Sequence, residues 1–247
     1  MHLSVIVPAY NEEKRLPITL REISDYLRKQ NFESEIVVVS DGSKDKTVEV
    51  AKSLISEIKN SRVIEFKENR GKGFGVKEGM MGALGDFRLF TDADNSTPIS
   101  QIEKMWPWFP ASAKGYGGKG YDIVIGSRDL KGAILDPPQP PFRRFTGEIF
   151  KYLRKIVVGL WEIEDSQCGF KCFTKRAAED IFPKCKINRF AFDPEILLVA
   201  KKSGYKIKEI PIYWKNDLQS RVKLKSMVKM LLDLFKIRLN EIKGYYD

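Results

Sequence analysis

The amino-acid sequence predicts an α/β fold, a mostly parallel sheet flanked by helices. Three observations carry that expectation. Short apolar strands alternate with helical periods along the first half of the chain. Runs such as Ile36-Val37-Val38-Val39 are continuously apolar, as suits strands buried on both faces of a parallel sheet. Each run then gives way to polar residues, and in such sheets ligands bind beyond the carboxyl ends of the strands.

In chain order, Leu3–Pro8 reads as the first strand and Glu12–Lys29 as the first helix. Glu35–Ser40 and Lys44–Ile58 repeat the unit, joined by Asp41-Gly42-Ser43, a turn that also caps a helix. A strand at Arg62–Phe66 leads to a helix over Gly73–Leu84. Gly71-Lys72-Gly73-Phe74-Gly75 does not continue as a dinucleotide fingerprint, and no Gly-Lys-Ser/Thr follows. It reads instead as a helix start whose free N–H groups, beside Arg70 and Lys72, face an anion. The next strand ends in Leu89-Phe90-Thr91-Asp92-Ala93-Asp94, and Asp122–Gly126 is another, after a surface loop from Gly115 to Gly120.

The pattern changes at Lys131. Asp136-Pro137-Pro138-Gln139-Pro140-Pro141-Phe142 excludes a helix or an inner strand and reads as a stiff connector. An amphipathic segment follows, with Ile149, Leu153, Ile156, Val157 and Leu160 on one side and Arg144, Lys151, Arg154 and Lys155 on another. Near the C-terminus Lys225, Lys229, Lys236 and Lys243 fall within about 40° of one another on a helix also rich in methionine, leucine and phenylalanine. Such a stripe fits an interfacial membrane helix or a core helix with a solvated lysine face. One domain over residues 1–247 is expected, with a ligand-binding half at 1–130 and a more elaborated half at 131–247.

Composition excludes several classes. The chain has 247 residues, 43% of them hydrophobic, and a net charge of +10 that admits phosphorylated ligands, nucleic acid or an anionic membrane. The lysines lie on amphipathic helices and no nucleic-acid module appears, which argues against nucleic acid. No apolar run reaches membrane-spanning length, and Leu3–Pro8 lacks the basic front of a signal peptide, so a cytoplasmic location is expected. Three cysteines, Cys168, Cys172 and Cys185, read as buried thiols. The single histidine, His2, stands at the N-terminus, where flexibility is expected, and argues against a Ser-His-Asp or Cys-His mechanism.

The residues after each strand carry the chemistry. Asp92 and Asp94, one residue apart where a strand frays, can converge on one divalent cation, and hard Mg²⁺ or Mn²⁺ is typically shared there with a nucleotide diphosphate. Asp41 suits a base N–H or a ribose hydroxyl, with Tyr10 as an aromatic wall.

Ser4-Val5-Ile6-Val7-Pro8-Ala9-Tyr10-Asn11-Glu12-Glu13, Asp41-Gly42-Ser43-Lys44-Asp45, Asn69-Arg70-Gly71-Lys72-Gly73, Asp92-Ala93-Asp94 and Gly126-Ser127-Arg128 stand in the order seen in family 2 glycosyltransferases, which the chain resembles. Asp165-Ser166-Gln167-Cys168-Gly169-Phe170-Lys171 and Arg189-Phe190-Ala191-Phe192-Asp193-Pro194-Glu195 bring it nearer to the dolichyl-phosphate β-glucosyltransferases, relatives of the dolichol-phosphate mannose synthases. The resemblance implies a GT-A fold, Mg²⁺ or Mn²⁺, a nucleotide-sugar donor and a polyprenyl or dolichyl phosphate acceptor. UDP-glucose is the favoured donor and GDP-mannose the alternative. Carried onto this chain, Pro8, Tyr10, Glu12, Val39, Asp41, Lys72, Asp92 and Ala93 would hold the nucleotide sugar, with Asp92 and Asp94 on the metal and Arg128 near the sugar or phosphates. Ser40 stands where the family usually has an aspartate, and the N-terminal anchor of the eukaryotic glucosyl enzymes is missing, so the amphipathic segments would attach the protein peripherally to the cytosolic face of a membrane.

Asp165 is the candidate for orienting the acceptor or taking a proton, and Arg143, Arg144, Gln167 and Arg221 are candidates for gripping its phosphate. A phosphate acceptor is already ionised near neutral pH, so it needs no strong base, and attack opposite the leaving group would invert the sugar. The alternatives are a saccharide acceptor, with Asp165 or Asp193 as base, and a nucleotidyltransferase.

Overall fold

The chain runs β1 (Leu3–Ala9), α1 (Leu16–Arg28), β2 (Ser34–Asp41), α2 (Thr47–Ile55), β3 (Arg62–Phe66), α3 (Lys72–Gly82), β4 (Phe87–Thr91), β5 (Ile123–Ser127), β6 (Ile134–Asp136), α4 (Pro141–Val158), β7 (Phe170–Thr174), α5 (Lys175–Ile181), α6 (Phe192–Lys202), β8 (Ile207–Pro211), β9 (Tyr213–Lys215) and α7 (Leu224–Ile242). The structure is a computed structural model. It describes all residues but 57, 112–117, 139–140 and 217–223, and leaves out the side chains of 141–145, 224 and 225.

Seven strands form one sheet in the order β3-β2-β1-β4-β7-β5-β8, and β6 pairs with β9 apart from it. The first four strands are parallel, from Leu3 opposite Ser34 and Phe87 onward. β7 alone runs the other way, antiparallel to both β4 and β5, while β8 is parallel to β5. Strand parity sorts the core into two layers. Ile6, Val37 and Val39 face α3 and α6. Val5, Val7, Ile36 and Val38 face α1 and α2.

The expected strands and helices of the first half are present, with shifted ends. α1 starts at Leu16 because Asn11 takes a left-handed turn (φ 55°) and the Glu12 carboxylate folds back onto Arg15. β4 stops at Thr91, so Asp92 and Asp94 stand beyond the strand, where Thr19 Oγ1 donates to the Ala93 carbonyl at 2.7 Å and holds the turn. The proline-rich connector is shorter than expected: β6 ends at Asp136 and Pro141 opens α4, since a proline at a helix's first position gives up no intrahelical bond. Of the loop from Gly115 to Gly120, residues 115–117 lie outside the described residues. His2 is not flexible; it is buried against the rings of Phe32, Phe87 and Trp106.

The basic side of α4 is also corrected. Arg154 is buried, and its guanidinium donates to the carbonyls of Leu160 and Ile163, tying down the end of the helix. Lys155 pairs with Glu164 at 2.7 Å. Ile149, Tyr152 and Ile156 face outward instead. α7 packs beside α4 and buries Leu234 and Ile237, while Val228, Leu232, Phe235, Leu239 and Ile242 form an exposed stripe flanked by Lys229, Lys236 and Lys243. No described helix is long and apolar enough to cross a membrane.

Candidate active site

The loops that follow β1, β2, β4 and β5 open on one cleft of about 910 Å³. Pro8, Tyr10 and Glu12 enter it from β1, Asp41 from β2, and Asp92, Ala93 and Asp94 from β4; Lys72 comes from the start of α3, Arg128 from β5 and Gln167 from the segment before β7. Val39 is not among them. It lies on the same face of β2 as Asp41 but deeper along the strand, packed in the core beneath α3. Arg70 also points away from the cleft and stacks on Phe74, its guanidinium carbon 3.8 Å from the ring centre.

Asp41 is buried, and its carboxylate accepts the N–H of Arg70 at 2.9 Å and of Gly71 at 2.6 Å. It therefore shapes the Asn69–Gly71 turn as well as facing the cleft. Gly71 needs its backbone freedom here, with φ 117° and Asn188 pressed against it. The first turn of α3 is only partly free, because the Phe74 N–H donates to the Asn188 carbonyl at 3.0 Å. On the other side Glu12 and Arg15 form a bidentate pair.

Lys72 Nζ lies 2.5 Å from Asp92 Oδ1. Burial opposes the charge of Lys72, yet Asp92 and Asp193 outweigh it and hold the ammonium above its usual range. Asp94 shows the converse: burial, then the negative charge of Asp92, push its carboxyl above the ordinary value, although the Ser96 N–H donates to it at 3.0 Å. Two adjacent carboxylates, one of them short of compensating charge, are a donor set of hard oxygens that suits Mg²⁺ or Mn²⁺. Gly169 lies directly against the Asp92 carboxylate, and a Cβ at that position would overlap it.

Half-buried Arg128 and buried Asp165 form a second pair. Nε is 2.6 Å from Oδ2 and Nη2 is 2.8 Å from Oδ1. Burial works against the Asp165 charge, but the guanidinium and the Arg128 N–H hold its carboxyl down to about 2. Glu209 accepts the N–H groups of Glu164 and Asp165, which fixes the loop, and Asp165 Oδ1 accepts the N–H of Gln167. The Asp165 side chain thus stands behind Arg128. Gln167 Nε2 is buried at the cleft with no hydrogen-bond partner in the described structure.

Of the acceptor candidates, Arg221 lies outside the described residues, and Arg143 and Arg144 fall on α4 with side chains outside them. Arg15, Arg189, Trp214 and Met230, which sequence reasoning left out, line the cleft, as does Asp193, named there only as an alternative base. Asp193 is paired with the fully buried Lys171 at 2.5 Å. The Arg189–Glu195 motif was a visible signal for two of these residues; nothing local marks Trp214 or Met230. All three cysteines are buried and free, and burial pushes the Cys168 thiol up to about 12, far from a reactive state.

The chain matches the model of glycosyl transferase family 2 over residues 4–182. It is 37% identical over 244 residues to a dolichyl-phosphate beta-glucosyltransferase of Trichomonas vaginalis, covering 97% of this chain and 73% of that protein. Identity is 35% to the Homo sapiens enzyme of that name (98% and 76% covered) and 32% to the Saccharomyces cerevisiae one (99% and 76%). Among solved structures, glucosyl-3-phosphoglycerate synthase from Mycobacterium tuberculosis, in complex with Mn²⁺, UDP and glucosyl-3-phosphoglycerate, superposes with a TM-score of 0.67 at 16% identity, over 98% of this chain and 80% of that one. Mannosyl-3-phosphoglycerate synthase from Rubrobacter xylanophilus gives 0.68 at 16% identity, over 99% and 75%. These structural likenesses bear on the fold, which is the GT-A arrangement implied by the motifs.

Proposed function

The chain belongs to glycosyl transferase family 2, and on that premise we propose that it transfers glucose from UDP-glucose to dolichyl phosphate or a related polyprenyl phosphate, with inversion, at a membrane surface. The relatives' shared name supplies glucose and dolichyl phosphate, UDP is the nucleotide in the Mycobacterium tuberculosis complex, and one observation supports an acceptor that brings its own charge. Apart from Asp92 and Asp94, the pair assigned to the cation, the described carboxylates around the cleft are engaged: Asp41 by backbone N–H groups, Glu12 by Arg15, Asp165 by Arg128 and Asp193 by Lys171. A sugar hydroxyl needs a free carboxylate base, whereas a phosphate monoester is largely dianionic at neutral pH.

In this reading the acceptor oxygen attacks the anomeric carbon as its bond to UDP breaks, and UDP leaves with the electron pair. Inversion gives a β-linked glycosyl phosphate from the α-linked donor. Asp92 and Asp94 hold the divalent cation, which, when bound, neutralises charge developing on the diphosphate. Lys72 and Arg128 face the same diphosphate and add fixed positive charge in a partly water-excluded site. Asp165 positions Arg128 and moves no proton. Gln167 offers its unpartnered amide to a sugar or phosphate oxygen.

The membrane contact is made by the outward stripes of α4 and α7, with the flanking lysines toward anionic head groups. Residues 131–247 supply that contact and residues 1–130 most of the donor site. The reading is tested by incubating the protein and short-chain polyprenyl phosphate with UDP-glucose, GDP-mannose and other nucleotide sugars and weighing the lipid product. A hexosyl phospholipid from UDP-glucose is expected; product from GDP-mannose alone would reassign the donor.

A further inference from the structure

We infer that Arg189 binds the phosphate of the acceptor, an assignment that rests on the proposed transfer to a polyprenyl phosphate. Among the described residues four cations line the cleft: Arg15, Lys72, Arg128 and Arg189. The first three are spoken for, by Glu12 at 2.6 Å, Asp92 at 2.5 Å and Asp165 at 2.6 Å. The Arg189 guanidinium has no hydrogen bond and no ion pair there, and it is exposed. A guanidinium with no ion pair or hydrogen bond to the described residues, beside a ligand cleft, is a fork for two phosphate oxygens.

Its surroundings favour the acceptor over the donor. Arg189 shares its wall with Phe190 and with Met230 of α7, and it acts electrostatically on Asp233, also on α7. The opposite, outward face of α7 is the apolar stripe from Val228 to Ile242. A nucleotide sugar reaches the strand ends from water. A phosphate tied to an isoprenoid must instead be caught near an apolar surface, because withdrawing the chain exposes its methylenes to water. Arg189 stands on the cleft side of α7, one helix diameter, about 10 Å, from that surface. Its backbone is held by the neighbouring structure: the Phe192 N–H donates to the Arg189 carbonyl at 3.2 Å, and the buried Glu195 accepts the N–H groups of Lys186 and Ile187 just upstream.

The test is steady-state kinetics of the full chain with UDP-glucose and a short-chain polyprenyl phosphate in detergent micelles, comparing wild type, Arg189→Gln and Arg189→Lys. Arg189→Gln should raise the acceptor KM roughly 10–100-fold, with donor KM and UDP affinity within about twofold, and Arg189→Lys should recover part of the loss. Binding of Arg189→Gln to anionic vesicles that lack polyprenyl phosphate should be unchanged. An unchanged acceptor KM, a donor KM that rises in step, or loss of vesicle binding would each overturn the assignment, the last by making Arg189 a general lipid contact. Wild-type protein that binds UDP but does not glycosylate polyprenyl phosphate would overturn the proposed function, and this assignment with it.

Discussion

Both oxygens of Asp165 are held by the guanidinium of Arg128, at 2.6 and 2.8 Å, in a pair whose carboxylate is almost wholly buried. That geometry makes Asp165 a positioning residue. Asp165→Asn should therefore lower kcat by about 10²-fold, the scale seen when an electrostatic donor is misplaced, without moving the pH dependence of the remaining activity. A variant whose profile loses an ascending acid limb present in wild type would identify Asp165 as a base.

The same pair predicts acid sensitivity. The Asp165 carboxyl is held at about 2, below the ordinary 3.8, so the folded state binds its proton less readily than the unfolded chain. Its contribution, on the order of 2 kcal/mol, is complete above roughly pH 4 and is lost as pH falls through about 2. Urea unfolding between pH 6 and pH 2 should show wild-type stability dropping more steeply than that of Asp165→Asn below pH 4. Parallel curves would remove the pair as the cause.

Asp94→Asn should keep the fold and nearly abolish transfer, because a neutral amide weakens the hold on a divalent cation. Gly169→Ala should do much the same from outside the acidic pair, since the added methyl displaces the Asp92 carboxylate. Calorimetry with Mn²⁺ and UDP checks both. Undiminished Mn²⁺ affinity in both variants would take the metal away from Asp92 and Asp94.

Leu232→Asp with Phe235→Asp should release the protein from vesicles of any composition, as both side chains stand on the exposed stripe of α7. Charge reversal at Lys229 and Lys236 should weaken binding to anionic vesicles more than to neutral ones, and salt should mimic it. Sedimentation with liposomes reads both effects. Full binding by the Leu232/Phe235 variant would deny α7 a membrane role.

Much of the cleft wall built by the first half of the chain was legible because its signals are local. Ile36–Val39 announces a buried strand, and Asp41, Asp92 and Asp94 follow strands whose ends a parallel sheet must gather at one edge. The second half hid its strands. β7 inserts antiparallel between β4 and β5 through pairings such as Leu89 with Cys172, more than eighty residues apart in sequence, which no periodicity announces. Periodicity puts Arg154 on the basic side of α4, away from the apolar one, yet a buried guanidinium is stable where carbonyl groups converge on it, as those of Leu160 and Ile163 do. Val39 shows the reverse error: it lies on the same face of β2 as Asp41 but one pleat deeper, where it packs into the core under α3. The Arg128–Asp165 pair was half legible, since both residues were singled out but not their contact, which depends on the loop fixed by Glu209.

The most direct test of the central claim offers the protein polyprenyl phosphate and the corresponding free polyprenol side by side, with UDP-glucose and Mg²⁺ or Mn²⁺. Nuclear magnetic resonance then reads the anomeric configuration of any product. Glucosylation of the phosphate alone, as a β-linked, mild-acid-labile glycosyl phosphate, is the predicted result. Equal use of the alcohol, or retention of the α configuration, would contradict it.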